Sequence, residues 1–141
     1  MGVTIDMTYD GNLECTLVHG PSGDRMTTDA PVDNRGRGAH FSPTDLVGAA
    51  LGSCILTIMG IKARDSGWDM KGATAVVTKE MGAHPVRHIS LLKVEITMPA
   101  SLDPKARTIL ERCGQHCPVE TSLGDLTKVE VTYRYAQADS E

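Results

Sequence analysis

Aromatic residues are nearly missing from this chain, with one Trp, one Phe and three Tyr among 141 residues. A surface that stacks nucleic-acid bases needs more of them, together with a basic stripe. The charge supplies no such stripe: 14 Lys and Arg stand against 18 Asp and Glu, net −4, with both signs interspersed. Nucleic acid is therefore not an expected partner. A signal-like opening is also lacking, since Met1 to Tyr9 is short and alternates like a strand. The start Met-Gly-Val-Thr-Ile-Asp misses the myristoylation pattern, which wants Ser or Thr where Asp6 stands. A cytoplasmic location is the default expectation. There, four cysteines are better read as metal-binding or redox groups than as a static disulfide framework.

Long apolar runs are equally scarce, and the single one organises the rest. Ser42 to Asp65 opens with Ser-Pro, carries no charge from Leu46 to Ile61, and turns basic at Lys62 and Arg64. Ser42 is a good N-cap, Pro43 suits the first helical position, and Asp45 stands three residues after the cap. Asp45 favours the positive end of the helix dipole, Lys62 and Arg64 the negative end, and Gly67 is a plausible stop. The apolar residues go nearly all round, the pattern of a helix buried on most sides. Gly48 and Gly52, four apart, leave a groove where another backbone can approach closely. The uncharged run is shorter than the ~20 residues that cross a bilayer, so no membrane span is expected.

On either side the sequence reads mainly as strand and turn. Val3–Tyr9, Leu13–Leu17 and Arg25–Thr28 form three strands, with turn signals at Asp10-Gly11 and Pro21-Ser22-Gly23-Asp24. Residues 29–41 are an irregular loop bearing Arg35 and Arg37. Ala73–Glu80, Ile89–Met98 and Val129–Tyr135 alternate as further strands. A second helix opens at Asp103-Pro104, with Ala106, Ile109, Leu110, Cys113 and Cys117 at helical spacing on one face, and Pro118 stops it or begins a new turn. The expected fold class is α+β, one domain over residues 1–141, with mainly antiparallel sheet, a long buried central helix and a second helix. One small sheet cannot cover so apolar a helix, so a homodimer is expected.

Chemistry centres on cysteine. Cys54 lies in the middle of the apolar helix, and Cys117 lies by the second one. A peroxide reductase needs a thiolate to attack the O–O bond and a second thiol to condense with the resulting sulfenic acid. An unperturbed thiol, with a pKa near ~8.5, is mostly protonated at neutral pH, so an activated Cys54 needs a cation or hydrogen-bond donors nearby. A buried cysteine is also a common small hydrophobe, which is the plainer reading of Cys54 and of Cys15. Cys113 and Cys117 could be core, a resolving site, or part of a metal site with His116. Cys-x-x-His-Cys, however, does not match the usual zinc spacings, so the metal reading is weak. His19, His40, His84 and His88 read as solvated or structural.

Asp29-Ala30-Pro31, Ser42-Pro43-Thr44-Asp45-Leu46 and Ala49-Ala50-Leu51-Gly52-Ser53-Cys54, with Cys117-Pro118-Val119 and Leu123 later, resemble the OsmC/organic hydroperoxide resistance family, over nearly the whole chain. That resemblance implies an intertwined α+β homodimer with two active sites at the subunit interface. It implies reduction of organic hydroperoxides by Cys54 as the attacking cysteine and Cys117 as the resolving one. A lipoyl or other dithiol would reduce the Cys54–Cys117 disulfide, and the resemblance implies no metal and no organic cofactor. Two positions depart from the pattern. Thr44 stands where well-studied members carry a catalytic Glu, with Asp45 one residue later. No Arg precedes Arg25 where those members use one to activate the thiolate, leaving Arg35 or Arg37 as candidate substitutes. A non-peroxidatic small-molecule-binding or redox-sensing protein on the same scaffold is the alternative.

Overall fold

The computed structural model describes residues 2–137. They fall into two compact units, one up to Val47 and one from Gly48. The first is a three-stranded antiparallel sheet in the order β1 (Ile5–Gly11), β2 (Glu14–His19), β3 (Arg25–Asp29), followed by a 3₁₀ turn at Val32–Asn34. The hairpin between β1 and β2 does not turn at Asp10-Gly11 as the sequence suggests. Asp10 bulges out of the ladder between Tyr9 and Gly11, and the turn moves on to Asn12 and Leu13, both at positive φ (54° and 65°). Positive φ at both central residues is the type I′ geometry that matches strand twist. Along β1 and the residues before it, Val3, Ile5, Met7 and Tyr9 form an apolar row that remains more than half exposed.

α1 (Pro43–Ser66) begins at the end of the first unit and runs through the second. Its start is a reciprocal capping box: the Asp45 N–H donates to Ser42 Oγ (3.0 Å) and the Ser42 N–H to Asp45 Oδ2 (2.9 Å). It ends at Gly67, whose φ of 76° is the left-handed stop. By length and composition α1 could cross a membrane. The chain itself, however, buries Leu51, Ile55, Met59 and Ala63 with Gly48 and Gly52. These lie at i, i+3 and i+4, so burial follows one face. The expectation of a helix covered on most sides is not met within one chain: Ala49, Ala50, Ser53, Thr57 and Ile61 on the other face are exposed.

The second unit continues with β4 (Thr74–Gly82), β5 (His88–Met98), α2 (Pro104–Gly114), α3 (Pro118–Ser122) and β6 (Lys128–Tyr135). β5 is central, antiparallel to β4 and parallel to β6, so α2 and α3 form the crossover that a parallel pair requires. The Gly48–Gly52 groove receives this sheet. A Cβ on Gly52 would sit 2.8 Å from Val77 Cγ2 on β4, and one on Gly48 would sit 3.3 Å from Val77 Cγ1. The core is α1's buried face, Leu92, Val94, Ile96 and Met98 of β5, and Ala106 and Leu110 of α2. α2 is capped by Asp103, which accepts from the Ala106 N–H at 2.8 Å. It stops at Gly114, and Cys117 does not continue its face. A residue before proline is pushed out of the α region, and Cys117 (φ −75°, ψ 118°) is extended and caps α3.

β6 is tied to α2 through tyrosine. Tyr135 Oη donates to Glu111 Oε2 at 3.1 Å, and Arg107 lies 4.1 Å from the Tyr135 ring centroid. Tyr133 Oη reaches the end of α2, where a Cβ on Gly114 would meet it at 2.5 Å and Met59 of α1 at 3.3 Å. Burial, then Glu111 and Glu120, push Tyr133 up to about 12, and burial with Glu111 does the same for Tyr135.

Two predictions follow from this packing. Gly52→Ala forces a methyl into the stiff Val77 side chain and is expected to lower stability by about 1–3 kcal/mol, read as a fall of several degrees in melting temperature. The raised tyrosines stay protonated in the folded chain after the unfolded chain has lost its protons. Their contribution is therefore intact below pH 10 and lost as pH rises toward 12. Thermal melts across that window should show the decline, and Tyr133→Phe with Tyr135→Phe should flatten it.

Candidate active site

Cys54 stands on α1, next to the buried face, and is half-buried. Cys117 is fully buried at the start of α3, and all four cysteines are free thiols. Helix and crossover bring the two together, close enough for Cys54 to act on the Cys117 thiol. Burial is the largest influence on Cys117 and raises its pKa, and the neighbouring Cys54 raises it further. The amides of Glu120 and Val119, exposed at the first turn of α3, act in the opposite sense and favour the thiolate, although they close no side-chain capping hydrogen bond. The net direction is upward, so Cys117 holds its proton at neutral pH.

The hydroxyls beside Cys54 are already occupied. Ser53 Oγ donates to the Ala49 carbonyl at 2.8 Å, and Thr57 Oγ1 donates to the Ser53 carbonyl at 2.7 Å. Cys113 is half-buried on α2, and Cys15 is half-buried on β2 rather than in a core. Among the described residues no group of three or more His, Cys, Asp or Glu side chains is placed to hold a metal ion.

Arg35, Arg37 and Asp45 all belong to the first unit. Arg35 closes the 3₁₀ turn with a left-handed backbone, φ 69°. Arg37 pairs with Glu14 at 2.5 Å and lies 3.8 Å from Asp29 Oδ2, so two carboxylates balance its charge. Asp29 is fully buried. Its Oδ2 accepts from the Ala39 N–H, and its Oδ1 finds no hydrogen-bond partner among the described residues. The Asp45 carboxylate serves the cap, and Thr44 Oγ1 lies 3.1 Å from Ser42 Oγ. Sequence reading named both cysteines but missed the Val119 and Glu120 amides. The available signal was Pro118, which starts a helix and turns its first free N–H groups back toward the residue before it.

The model of the OsmC-like protein family matches residues 36–132, more than half of the chain, and spans both Cys54 and Cys117. Comparison with curated proteins finds no match. A solved structure from Psychrobacter arcticus 273-4, named for osmotic stress induction and a detoxification response, is 43% identical with a TM-score of 0.87, covering 95% of this chain and 98% of that one. An OsmC-like protein from Mycoplasma pneumoniae has a TM-score of 0.77 at 13% identity, covering 97% and 99%. An organic hydroperoxide resistance protein OsmC from Legionella pneumophila has a TM-score of 0.72 at 13% identity, covering 95% and 97%. The two distant structures speak for the fold, and the family match with the Psychrobacter relative settles membership: this chain belongs to the OsmC-like family.

Proposed function

We propose that the chain is a thiol-dependent reductase of organic hydroperoxides, acting as a cytoplasmic homodimer and as one functional domain. The observation that carries this reading is the approach of Cys54 to Cys117, two reduced thiols from distant parts of the chain. The Cys54 thiolate attacks the terminal oxygen of the hydroperoxide. The O–O bond breaks, the alkoxide takes a proton and leaves as the alcohol, and Cys54 becomes a sulfenic acid. Cys117 then attacks that sulfur, water leaves, and a disulfide forms. A dithiol such as a lipoyl group returns both residues to thiols as it becomes a disulfide itself. Arg37 or Arg35 serves as the supporting cation. Asp45 we assign to capping α1.

The homodimer has support in what one chain leaves uncovered: the Ala49, Ser53, Thr57 and Ile61 row of α1 and the apolar row of β1. A second copy seated on both rows would bury them. The alternative, a small-molecule-binding or redox-sensing protein, draws on one observation. Thr44 occupies the position of the family's catalytic Glu, and the nearby Asp45 carboxylate is engaged with Ser42.

One equivalent of cumene hydroperoxide should convert Cys54 and Cys117 to a disulfide, seen by peptide mass spectrometry, and dihydrolipoamide should reverse it. Cys54→Ser should abolish turnover. Cys117→Ser should leave sulfinic acid accumulating at Cys54. Both thiols surviving exposure, with an apolar ligand retained in native mass spectra, would favour the alternative. For the assembly, sedimentation should give a dimer, and Thr57→Arg on the exposed face of α1 should shift it to monomer.

A further inference from the structure

We propose that the cleft at the tip of the β1–β2 hairpin binds an alkylammonium group, which takes Glu14 as its partner while Arg37 turns onto Asp29. The cleft measures about 430 Å³ and is lined by Asn12, Leu13 and Arg37. Arg37 is its cationic wall, and two carboxylates stand behind that wall. Glu14 on β2 and Asp29 on β3 are cross-strand partners, so both face the same guanidinium. The whole site lies in the first unit and is independent of the thiol chemistry.

The charges there do not match. Two carboxylates share one guanidinium, which pairs closely with Glu14 (2.5 Å) and stays 3.8 Å from Asp29 Oδ2, beyond hydrogen-bond reach. Asp29 is the worse served of the two, although it is the more deeply buried: its side chain has no exposed surface, against 22% for Glu14. Asp29 Oδ2 accepts one amide, from Ala39, and Oδ1 has no hydrogen-bond partner among the described residues. A buried carboxylate oxygen without a donor is costly, and a second cation removes the deficit. With an ammonium on Glu14, the Arg37 guanidinium can turn onto Asp29, where its two parallel N–H groups fit both oxygens. Each carboxylate then has a cation of its own. The side chain makes this move, because the backbone beside it is pinned to Ala30. A Cβ on Gly36 would sit 1.7 Å from the Ala30 carbonyl oxygen, and the Gly38 N–H donates to that oxygen at 3.2 Å.

Size and lining select the cation. A bare metal ion needs several oxygen ligands, and among the described residues no group of three His, Cys, Asp or Glu side chains is placed to hold one. The cleft is also far larger than the ~30 Å³ of a single water molecule. Leu13 supplies an apolar wall for a short alkyl stem, and Asn12 supplies a polar edge. The second carboxylate disfavours an anion.

The test is titration of the intact protein with n-butylammonium chloride at constant ionic strength, followed by calorimetry and by the Arg37 Nε–H signal in NMR spectra. Binding should saturate, and the signal should shift as Arg37 changes partner. n-Butanol, the neutral counterpart, should not bind. Glu14→Gln should weaken binding about tenfold, the loss of one hydrogen bond to a charged group. Asp29→Asn should abolish the NMR shift, and Glu14→Gln carries the test alone should that buried substitution unfold the chain in thermal melts. Arg37→Met removes the resident competitor and should tighten binding about tenfold. A lysine-containing peptide that binds as well as butylammonium assigns the group to a protein side chain, and binding by free amines alone assigns it to a small molecule. No saturable binding, an affinity unmoved by Glu14→Gln, loss of binding in Arg37→Met, or a response to Mg²⁺ in place of butylammonium would overturn the proposal.

Discussion

The close approach of α1 to the β4–β5–β6 sheet is the constraint on which the second unit depends. Two glycines one turn apart remove the side chains that would hold helix and strand at ordinary distance, and Val77 fills the space. At that separation Leu51, Ile55 and Met59 are fully buried in a single core with the β5 row. The rotation of α1 about its axis is fixed by the same contact. With Gly48 and Gly52 on the sheet, Cys54 stands at the margin of the buried face, half-covered and turned toward α3. A core requirement and the placement of Cys54 are met by one geometric condition.

Cys117 reaches the same place through different physics. Proline at 118 drives the preceding residue out of helical geometry, which ends any continuation of α2 and starts α3 with two free amides near the sulfur. One sulfur belongs to a regular element whose neighbouring hydroxyls are engaged, the other to the junction that starts α3. Burial by the protein and attraction by the amides pull Cys117 in opposite senses, and burial prevails. Such a balance between large opposing influences is one that a change of charge next door can tip.

Much of this was legible in the sequence. The cap, proline and stop of α1 left their residues in plain order, and strand alternation located all six strands. The failures were local competitions between similar signals. Asp10-Gly11 reads as a hairpin turn, yet a bulge absorbs it, because Asn12 also tolerates positive φ. Cys113 and Cys117 share helical spacing, yet the proline effect on its neighbour outweighs periodicity. The all-round apolar character of α1 says that it seeks cover without saying from which molecule. Both thiols could be named, but their meeting could not, since it depends on the path of the crossover that carries Cys117.

That crossover joins β5 to the parallel strand β6 through α2 and α3. Sixty-odd residues separate the two sulfurs along the chain, so their encounter is a non-local contact of the kind whose loop closure slows folding. A chain emerging in synthesis or partly unfolded by heat carries two ordinary, separated cysteines. The approach of the two thiols is thus a property of the completed fold, and it reports on whether the chain is intact.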